Sequence, residues 1–276
     1  MPGGRPALAA AVLKVIARQK ATGKPLAIIL AGHNGSGKST MWYKHVVDLI
    51  RIPLVNADRM MLSVLPEVDD PKKLPRWASS IRDADTDWMQ VAQKGVESFV
   101  AHAMGRKVPF AQETVFSYWK ENKDGTVSSK IDLLASLQQA GYFVLLFFVG
   151  LRDVQLSIGR VSSRKNAGGH DVAVDRLIER FPRTQKAIGR AINVADAAIL
   201  IDNSRPEELA FTICRVQSGS RCLMTSGIGN SRCLPKFSNG WIKFARSRRR
   251  KRNPATSSLE SSTPDGSSKA QVTVTD

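Results

Sequence analysis

Short apolar runs alternate with longer segments of helical periodicity along the first 200 residues. Four to eight consecutive apolar residues between polar or glycine-rich turns are typical of buried strands. The predicted strands are 26–31, 52–58, 108–112, 142–149 and 197–202. The predicted helices are 8–19, 38–49, 87–104, 131–139 and a basic region over 154–190 that is interrupted at 167–169. This alternation predicts an α/β fold, in which helices cover both faces of a parallel sheet.

The turn after the first predicted strand has the spacing Gly32-x-x-x-x-Gly37-Lys38-Ser39, which matches the phosphate-binding loop of nucleotide triphosphatases and kinases. Glycines let such a loop curl until its N–H groups face one anion, and the following helix adds its positive end. We expect a nucleotide to contact Gly32, His33, Asn34, Gly35, Ser36, Gly37, Lys38, Ser39 and Thr40. The alternative is a Gly-Ser turn that only connects strand to helix.

Three residues of this loop have predicted individual roles. Lys38 reaches the β- and γ-phosphates of ATP, and the Ser39 hydroxyl is the one direct protein ligand of Mg²⁺. His33 needs only to contribute its main-chain N–H. No apolar run ends in the Asp-Glu pair of hydrolytic ATPases, which disfavours a motor or helicase.

Polar residues follow the other predicted strands, where ligands bind in parallel sheets. Asp58 ends the second predicted strand, so it is the candidate base that takes a proton from an acceptor hydroxyl. The alternative role for Asp58 is an N-cap for the helix from Arg59 onward. Glu113, Thr114 and Ser117 suit a hydroxyl-rich substrate, and a salt bridge with an arginine is the alternative for Glu113.

The basic region over 154–190 is a predicted helical lid, taken as about 153–190. Arg160 and Arg164 are four residues apart, hence on one helix face, where two guanidinium groups could stabilise a γ-phosphate in the transition state. Arg176, Arg180 and Arg183 continue this basic pattern, and a solvated surface is an equally good interpretation of each.

Basic residues are concentrated late in the chain. The formal net charge is +17, and residues 215–276 hold twelve Lys/Arg against three Asp/Glu. We therefore predict a domain over 1–215 and a basic, Ser-rich, disordered tail over 216–276, where the pattern dissolves from about Gln217. The dense basic run at 246–252 permits contact with nucleic acid, or it is a solvated tail.

Compartment signals are few in this sequence. Three cysteines, Cys214, Cys222 and Cys233, fit no disulfide framework or zinc spacing, so a reducing cytoplasm is expected. The apolar stretch 7–15 is interpreted as an amphipathic helix that packs on the domain, with a signal peptide as the alternative. No run approaches the length of a membrane span.

Taken together, these motifs resemble the zeta toxin family of bacterial P-loop kinases across about 26–204. The matching pieces are Ala31-Gly32-x-Asn34-Gly35-Ser36-Gly37-Lys38-Ser39-Thr40, Asn56-Ala57-Asp58, Glu113-Thr114-x-Phe116-Ser117, Gly141-Tyr142, Arg160-Val161-x-x-Arg164, Gly168-Gly169-His170-Asp171-Val172 and Asp202-Asn203-Ser204. The resemblance implies ATP-dependent phosphorylation of a small-molecule hydroxyl, namely the 3′-hydroxyl of UDP-N-acetylglucosamine in characterised relatives. It also implies Asp58 as base, Glu113 and Thr114 on the sugar nucleotide, Arg160 and Arg164 at the ATP phosphates, and a small helical antitoxin as partner.

This chain departs from the family pattern at three positions. His33 stands where a proline is frequent, a difference expected to change little. Val115 and Phe116 replace smaller residues, so the acceptor pocket is expected to differ. Two other functions therefore stay open. One is a kinase of another small molecule or of nucleic acid, and the other is a nucleotide-dependent nucleic-acid-binding protein that uses the basic tail.

Overall fold

The strands of this protein form one seven-stranded sheet and a separate two-stranded hairpin among the residues that the structure describes. The structure is a computed structural model, and it describes residues 4–69, 73–84, 86–166 and 172–225. The strands are β1 (Leu26–Gly32), β2 (Leu54–Val55), β3 (Phe110–Thr114), β4 (Trp119–Glu121), β5 (Val127–Ser129), β6 (Phe143–Gly150), β7 (Ala197–Asp202), β8 (Thr212–Ser218) and β9 (Arg221–Thr225).

Helices connect most of these strands, as the periodicity predicts. They are α1 (Gly4–Ala21), α2 (Lys38–Met41), α3 (Val47–Ile50), α4 (Ala57–Leu62), α5 (Arg76–Ala84), α6 (Thr86–Arg106), α7 (Ile131–Gln139), α8 (Val154–Asn166) and α9 (Val174–Ala191). One π-helical turn, Trp42–Val46, joins α2 to α3, so the single helix predicted for 38–49 is wider at its centre. Among the described residues, every helix is too short or too polar to span a bilayer.

The strand order β2-β3-β1-β6-β7-β8-β9 places β1 in the middle of the sheet. β1 pairs in parallel with β3 and β6, and Ile29 lies opposite both Gln112 and Leu146. Every residue of β1 and β6 is buried, because helices cover both sides of these central strands. The predicted α/β architecture is confirmed, and the carboxyl ends of β1, β3 and β6 lie side by side.

Two apolar cores lie on opposite faces of the sheet. On one face, Ile28 and Leu30 pack with α1 and with Trp42 of the π-helical turn. On the other, Ala27 and Ile29 pack with residues of α6, α7 and α9. Because side chains alternate along a strand, β1 supplies both cores from consecutive residues. α1 contributes a buried stripe to the first core, consistent with the predicted amphipathic helix: Leu8, Ala11, Val12 and Val15.

The sheet extends further along the chain than the sequence predicts. β8 pairs antiparallel with β7, and β9 pairs antiparallel with β8, so the strand pattern continues to Thr225 instead of dissolving near Gln217. Polar residues interrupt the apolar ones in β8, and β9 at the edge of the sheet has only three consecutive apolar residues, so neither strand contains a long apolar run. The remainder of the predicted tail, with Cys233 and the basic run 246–252, lies outside the described residues.

Candidate active site

The loop between β1 and α2 requires glycine at two positions for different reasons. Gly37 has a φ of 86°, and a Cβ placed on it would lie 2.7 Å from Nδ2 of Asn203. A Cβ on Gly32 would collide with the main-chain carbonyl oxygen of Val149 in β6. The loop is therefore packed so closely against its neighbours that any side chain at these positions would displace the main chain.

Two groups from distant parts of the chain hold this loop in place. The Ser157 hydroxyl of α8 donates to the main-chain oxygen of Asn34 at 2.7 Å. Nδ2 of Asn203, which follows β7, donates to the main-chain oxygen of Ser36 at 2.9 Å. Two carbonyl groups of the loop, those of Asn34 and Ser36, are thus bonded by side chains from outside the loop, which fixes the loop conformation.

Lys38 and Ser39 meet Glu113 from β3 at the end of the sheet. The Ser39 hydroxyl lies 3.0 and 2.9 Å from the two carboxylate oxygens of Glu113, and Nζ of Lys38 lies 3.9 Å from one of them. Nζ also donates to the main-chain oxygens of Gly32 and His33, at 3.2 and 3.1 Å. Glu113 therefore contacts the phosphate loop, and its observed partners are a lysine and a serine, not the arginine considered as an alternative.

The ammonium group of Lys38 is the electrostatic centre of the site. Only 8% of its side chain is exposed, and this burial lowers the pKa of Lys38. The carboxylates of Glu113 and Asp58 oppose that shift, whereas the charge of Arg164 acts in the same direction as burial. Asp58, Glu113 and Arg164 are therefore all close enough to Lys38 to interact with its charge.

Asp58 lies in the first turn of α4 and is exposed. The prediction that it ends the second strand is wrong, because β2 stops at Val55 and Asn56 begins the helix. Oδ1 of Asn56 accepts a hydrogen bond from the main-chain N–H of Asp58 at 2.8 Å, so Asn56 is the N-cap and the alternative role for Asp58 is wrong as well. Since Asn56 caps the helix, the Asp58 carboxylate is not used by the cap.

One basic residue of α9 interacts with the charge of Asp58. Arg180 is half-buried, and its pKa is lowered by burial and then by the charges of Arg176 and Arg183. Asp58 is one of the acidic groups that oppose this shift, so the Arg180 guanidinium lies within electrostatic reach of that carboxylate. Asp58 therefore interacts both with Lys38 of the phosphate loop and with Arg180 of α9.

α8 carries both predicted phosphate-binding arginines, and their surroundings differ. Arg164 is the one that interacts with Lys38. Arg160 lies against Gly35 of the loop and lines a cavity of about 660 Å³, with Thr40 and Phe211 among its other walls. Burial lowers the pKa of Arg160, and Asp202 opposes that shift. This cavity adjoins the phosphate loop and has the volume of a typical small-molecule site.

The turn after β3 holds the remaining predicted acceptor residues. The Thr114 hydroxyl accepts a hydrogen bond from the main-chain N–H of Phe116 at 3.2 Å, so this hydroxyl supports the turn. Phe116 is buried with a φ of 66°, an uncommon conformation for a residue other than glycine. The Thr184 hydroxyl of α9 donates to the Val115 oxygen at 3.4 Å, and Ser117 is partly exposed beside this turn.

His33 contributes more to the site than the main-chain N–H that the sequence predicts. Its Nδ1 accepts a hydrogen bond from the main-chain N–H of Leu151 at 3.2 Å, and its ring stacks on Phe181 of α9. Burial, followed by the charge of Lys38, lowers the pKa of His33 from 6.5 to about 3, so the imidazole is neutral. The main-chain carbonyl of Phe181 opposes this lowering of the pKa. Nε2 of His33 has no hydrogen-bond partner of good geometry among the described residues.

Sequence reasoning missed the supporting role of Ser157 and of the His33 and Phe181 rings. Ser157 precedes Arg160 by one helical turn, so helical spacing from the predicted arginines could have found it. No local signal identifies Phe181 as the partner of His33, because 148 positions separate the two residues. The residues 168–171 of the predicted Gly-Gly-His-Asp motif lie outside the described residues.

A model of one protein family matches this chain. The zeta toxin family model aligns with residues 9–205, which include the phosphate loop, Asp58, Glu113 and both arginines of α8. An uncharacterized protein of Haemophilus influenzae is 25% identical over 155 residues, which cover 56% of this chain and 91% of that protein.

Solved structures show a broad likeness at low sequence identity. AvrRxo1-ORF1 in complex with AvrRxo1-ORF2 and ATP aligns with a TM-score of 0.48 and 13% identity, over 91% of this chain and 72% of that chain. The PezAT chromosomal toxin-antitoxin system of Streptococcus pneumoniae aligns with a TM-score of 0.45 and 14% identity, over 87% of this chain and 95% of that chain.

Proposed function

This chain belongs to the zeta toxin family, and on that premise we propose that it is an ATP-dependent kinase of a small-molecule hydroxyl. The observation that carries the proposal is the meeting of Lys38, Glu113 and Asp58 at the end of the sheet, where one ammonium group interacts with both carboxylates. Phosphoryl transfer needs positioning and charge neutralisation more than covalent help from the protein. The site supplies both around one phosphate loop.

The proposed reaction uses each residue in one role. The acceptor oxygen forms a bond to the γ-phosphorus of ATP while the bond from that phosphorus to the β–γ bridging oxygen breaks. The hydroxyl proton passes to the Asp58 carboxylate, which is exposed and not used by a helix cap. Lys38 and Arg164 stabilise the negative charge on the transferred group, and the main-chain N–H groups of the loop bind the β-phosphate.

The same residues fit a magnesium ion. Serine hydroxyl and carboxylate oxygens are ligands that Mg²⁺ prefers, and the Ser39 hydroxyl already points at Glu113. Ser39 would hold the ion directly and Glu113 would bind it or orient Ser39. When bound, Mg²⁺ neutralises charge on the β- and γ-phosphates.

The cavity beside Arg160 is the proposed site of the base and ribose of ATP. It begins at Thr40, directly after the phosphate loop, and Phe211 provides an apolar wall for a base. Lys44 and Arg205 add positive charge at its edge. The nucleotide would therefore enter from the α8 side, and the acceptor would lie on the other side, next to Asp58 and Arg180.

A transfer assay tests this proposal and identifies the acceptor. The full chain is incubated with Mg²⁺ and γ-³²P-labelled ATP, together with UDP-N-acetylglucosamine, other sugar nucleotides, nucleosides or oligonucleotides. We expect label transfer to a sugar nucleotide, as the family resemblance implies, and none with Asp58→Asn. Full transfer by Asp58→Asn would contradict the assigned base, and absence of transfer to every acceptor would contradict the kinase function.

An antitoxin partner stays a prediction that rests on family membership. We propose that a small helical protein binds this chain and blocks nucleotide access. Co-expression with the product of an adjacent reading frame, followed by co-purification and ATP-binding measurements, would test it. An ATP affinity that is unchanged in the purified complex would contradict the blocking role.

A further inference from the structure

The His33 ring connects the phosphate loop to α9. It stacks on Phe181 with ring centroids 3.9 Å apart and an angle of 11° between the planes, and it meets the edge of Phe148 from β6 at 5.6 Å. His33 and Phe181 are both buried. The hydrogen bond from Leu151 to Nδ1 fixes the rotation of the ring, so the imidazole offers one rigid face to α9.

α9 contains Pro182 directly after Phe181. A proline inside a helix lacks the N–H that would bond to the carbonyl four residues earlier, here that of Ile178, so the helix is weakened at this point. The second half of α9 is held independently: Lys186 forms an ion pair with Glu121 at 2.9 Å, and its ammonium lies over the Trp119 ring. These contacts do not fix the position of the first half, because the proline weakens the helix between the two halves.

The first half of α9 carries Arg180, whose charge interacts with that of Asp58. Val174 and Ile178 are more than half exposed, so this half packs on the protein through one side only. Leu177 and Phe181 are its buried residues, and Phe181 is the one adjacent to both Arg180 and the proline. The contacts of Phe181 therefore fix the main chain from which the Arg180 side chain extends.

We propose that His33 is a positioning residue: by stacking on Phe181, its imidazole holds the first half of α9 over the phosphate loop and keeps Arg180 beside Asp58. The catalytic consequence rests on the proposed kinase function, whereas the positional consequence does not. His33 acts on the reaction through Phe181 and Arg180, without contact with the acceptor.

Four substitutions separate the ring from the hydrogen bond. In His33→Asn, the side-chain oxygen can still accept from Leu151, but the ring is lost. In His33→Phe, the ring is kept and the acceptor is lost. Phe181→Leu removes the stack from the other side, and Phe181→Tyr keeps it. The stacking proposal expects His33→Asn and Phe181→Leu to behave alike, and the two ring-preserving variants to resemble the unmodified protein.

Hydrogen–deuterium exchange of the full chain without nucleotide tests the positional claim. We expect residues 174–181 to exchange about fivefold faster, or more, in His33→Asn and Phe181→Leu, with little change in 183–191 and in β6. Unchanged exchange over 174–181 would overturn the proposal. Equal acceleration over all of α9 and β6 would also overturn it, because that result indicates general destabilisation. Fast exchange over 174–181 in His33→Phe, together with unchanged exchange in His33→Asn, would assign the effect to the Leu151 hydrogen bond and refute the stack.

Turnover of Mg-ATP with UDP-N-acetylglucosamine as acceptor, measured as ADP release, tests the catalytic claim. His33→Asn should lower kcat about tenfold, with the KM for ATP within about twofold, because misplaced charge affects the transition state most. In an Arg180→Gln background, His33→Asn should have no further effect on kcat. A full additional loss in that background would refute the route through Arg180. A lack of ADP release by the unmodified protein would count against the kinase function alone, since the exchange result stands separately.

Discussion

The two sides of the site differ in how they are built. On the nucleotide side, Lys38 is buried and the loop is bonded by Ser157 and Asn203 from other elements. On the acceptor side, Asp58 is exposed in the first turn of a six-residue helix, and Arg180 faces it from a helix that a proline interrupts. The nucleotide side is thus preorganised by the fold, whereas the acceptor side is formed by separate helices.

This difference indicates which side of the site selects the acceptor. A loop that binds phosphate through main-chain N–H groups has the same chemistry in any chain that folds it, so it determines the donor. In the proposed reaction, side chains on α4, α9 and the turn after β3 lie next to the acceptor, so they would determine its identity. Substitutions on the two sides should therefore separate binding of ATP from transfer of its phosphate.

Lys38→Ala should have the largest effect, because it acts on both sides. It removes the charge that interacts with Glu113 and Asp58, and we expect transfer to fall by about a thousandfold or more. ATP binding, measured by calorimetry, should weaken as well. Lys94→Ala on the exposed face of α6 is the matched control and should retain activity. Measurable transfer near the original rate would refute the role of Lys38.

Asp58→Asn should affect the acceptor side alone. We expect transfer to fall by about a hundred- to ten-thousandfold, because the amide cannot take the hydroxyl proton, whereas ATP affinity stays within about twofold. The control is Asp48→Asn, an exposed aspartate of α3. If ATP affinity fell along with transfer, the separation between the two sides would be wrong.

Glu113→Gln should sharpen the assignment of Glu113 to the nucleotide side. Loss of the negative charge beside Ser39 should lower turnover by about a hundredfold and raise the Mg²⁺ concentration needed for half-maximal rate. A titration of rate against Mg²⁺ measures both, with the exposed Glu97→Gln of α6 as control. A higher KM for the acceptor, with an unchanged Mg²⁺ requirement, would return Glu113 to the acceptor side.

Asn203→Ala should loosen the phosphate loop without removing a ligand of the phosphate. It leaves the Ser36 carbonyl without its side-chain donor, a loss of about 1–2 kcal/mol, which corresponds to about tenfold weaker ATP binding. Asn193→Ala is the control, since that exposed amide lies just after α9 and donates to the Gly189 carbonyl in its last turn. Equal ATP affinity in Asn203→Ala and the unmodified protein would show that the loop does not depend on this bond.

The last prediction concerns stability at acid pH. The pKa of His33 is about 3 in the folded protein and 6.5 in the unfolded chain, so the unfolded chain binds a proton first. His33 therefore contributes to the free energy of unfolding above pH 6.5. This contribution is lost as the pH falls toward 3, by at most about 1.4 kcal/mol per pH unit. Urea unfolding from pH 7.5 to 4.5 should show a shallower loss in His33→Asn, and no such change in the exposed His102→Asn.

The sequence predicted the fold well where its signals are local. The helix at 131–139 and the strand at 197–202 have the predicted bounds, because each is a continuous periodic or apolar segment. The second strand was predicted too long because Asn56-Ala57-Asp58 directly follows the apolar run, although it begins a helix. β8 and β9 were missed because polar residues interrupt the apolar ones in β8, and the edge strand β9 has only three consecutive apolar residues.

The candidate site likewise has one part that the sequence predicts and one part that it does not. The spacing from Gly32 to Ser39 was sufficient to predict the loop, since the chemistry of that loop depends on adjacent residues. The contact of Ser39 with Glu113 joins residues 74 positions apart, and it exists because β3 pairs with β1 in the sheet. A pattern along the chain does not contain that pairing.

By itself, then, the sequence determined the alternation of elements, the phosphate loop and the family. Only the tertiary structure placed Glu113 in contact with Ser39, made Asn56 instead of Asp58 the N-cap of α4, and stacked His33 on Phe181 of α9. The reason is physical. Helical and strand periodicity and loop conformation arise from interactions between near neighbours, whereas the surroundings of a side chain depend on which strands and helices pack side by side.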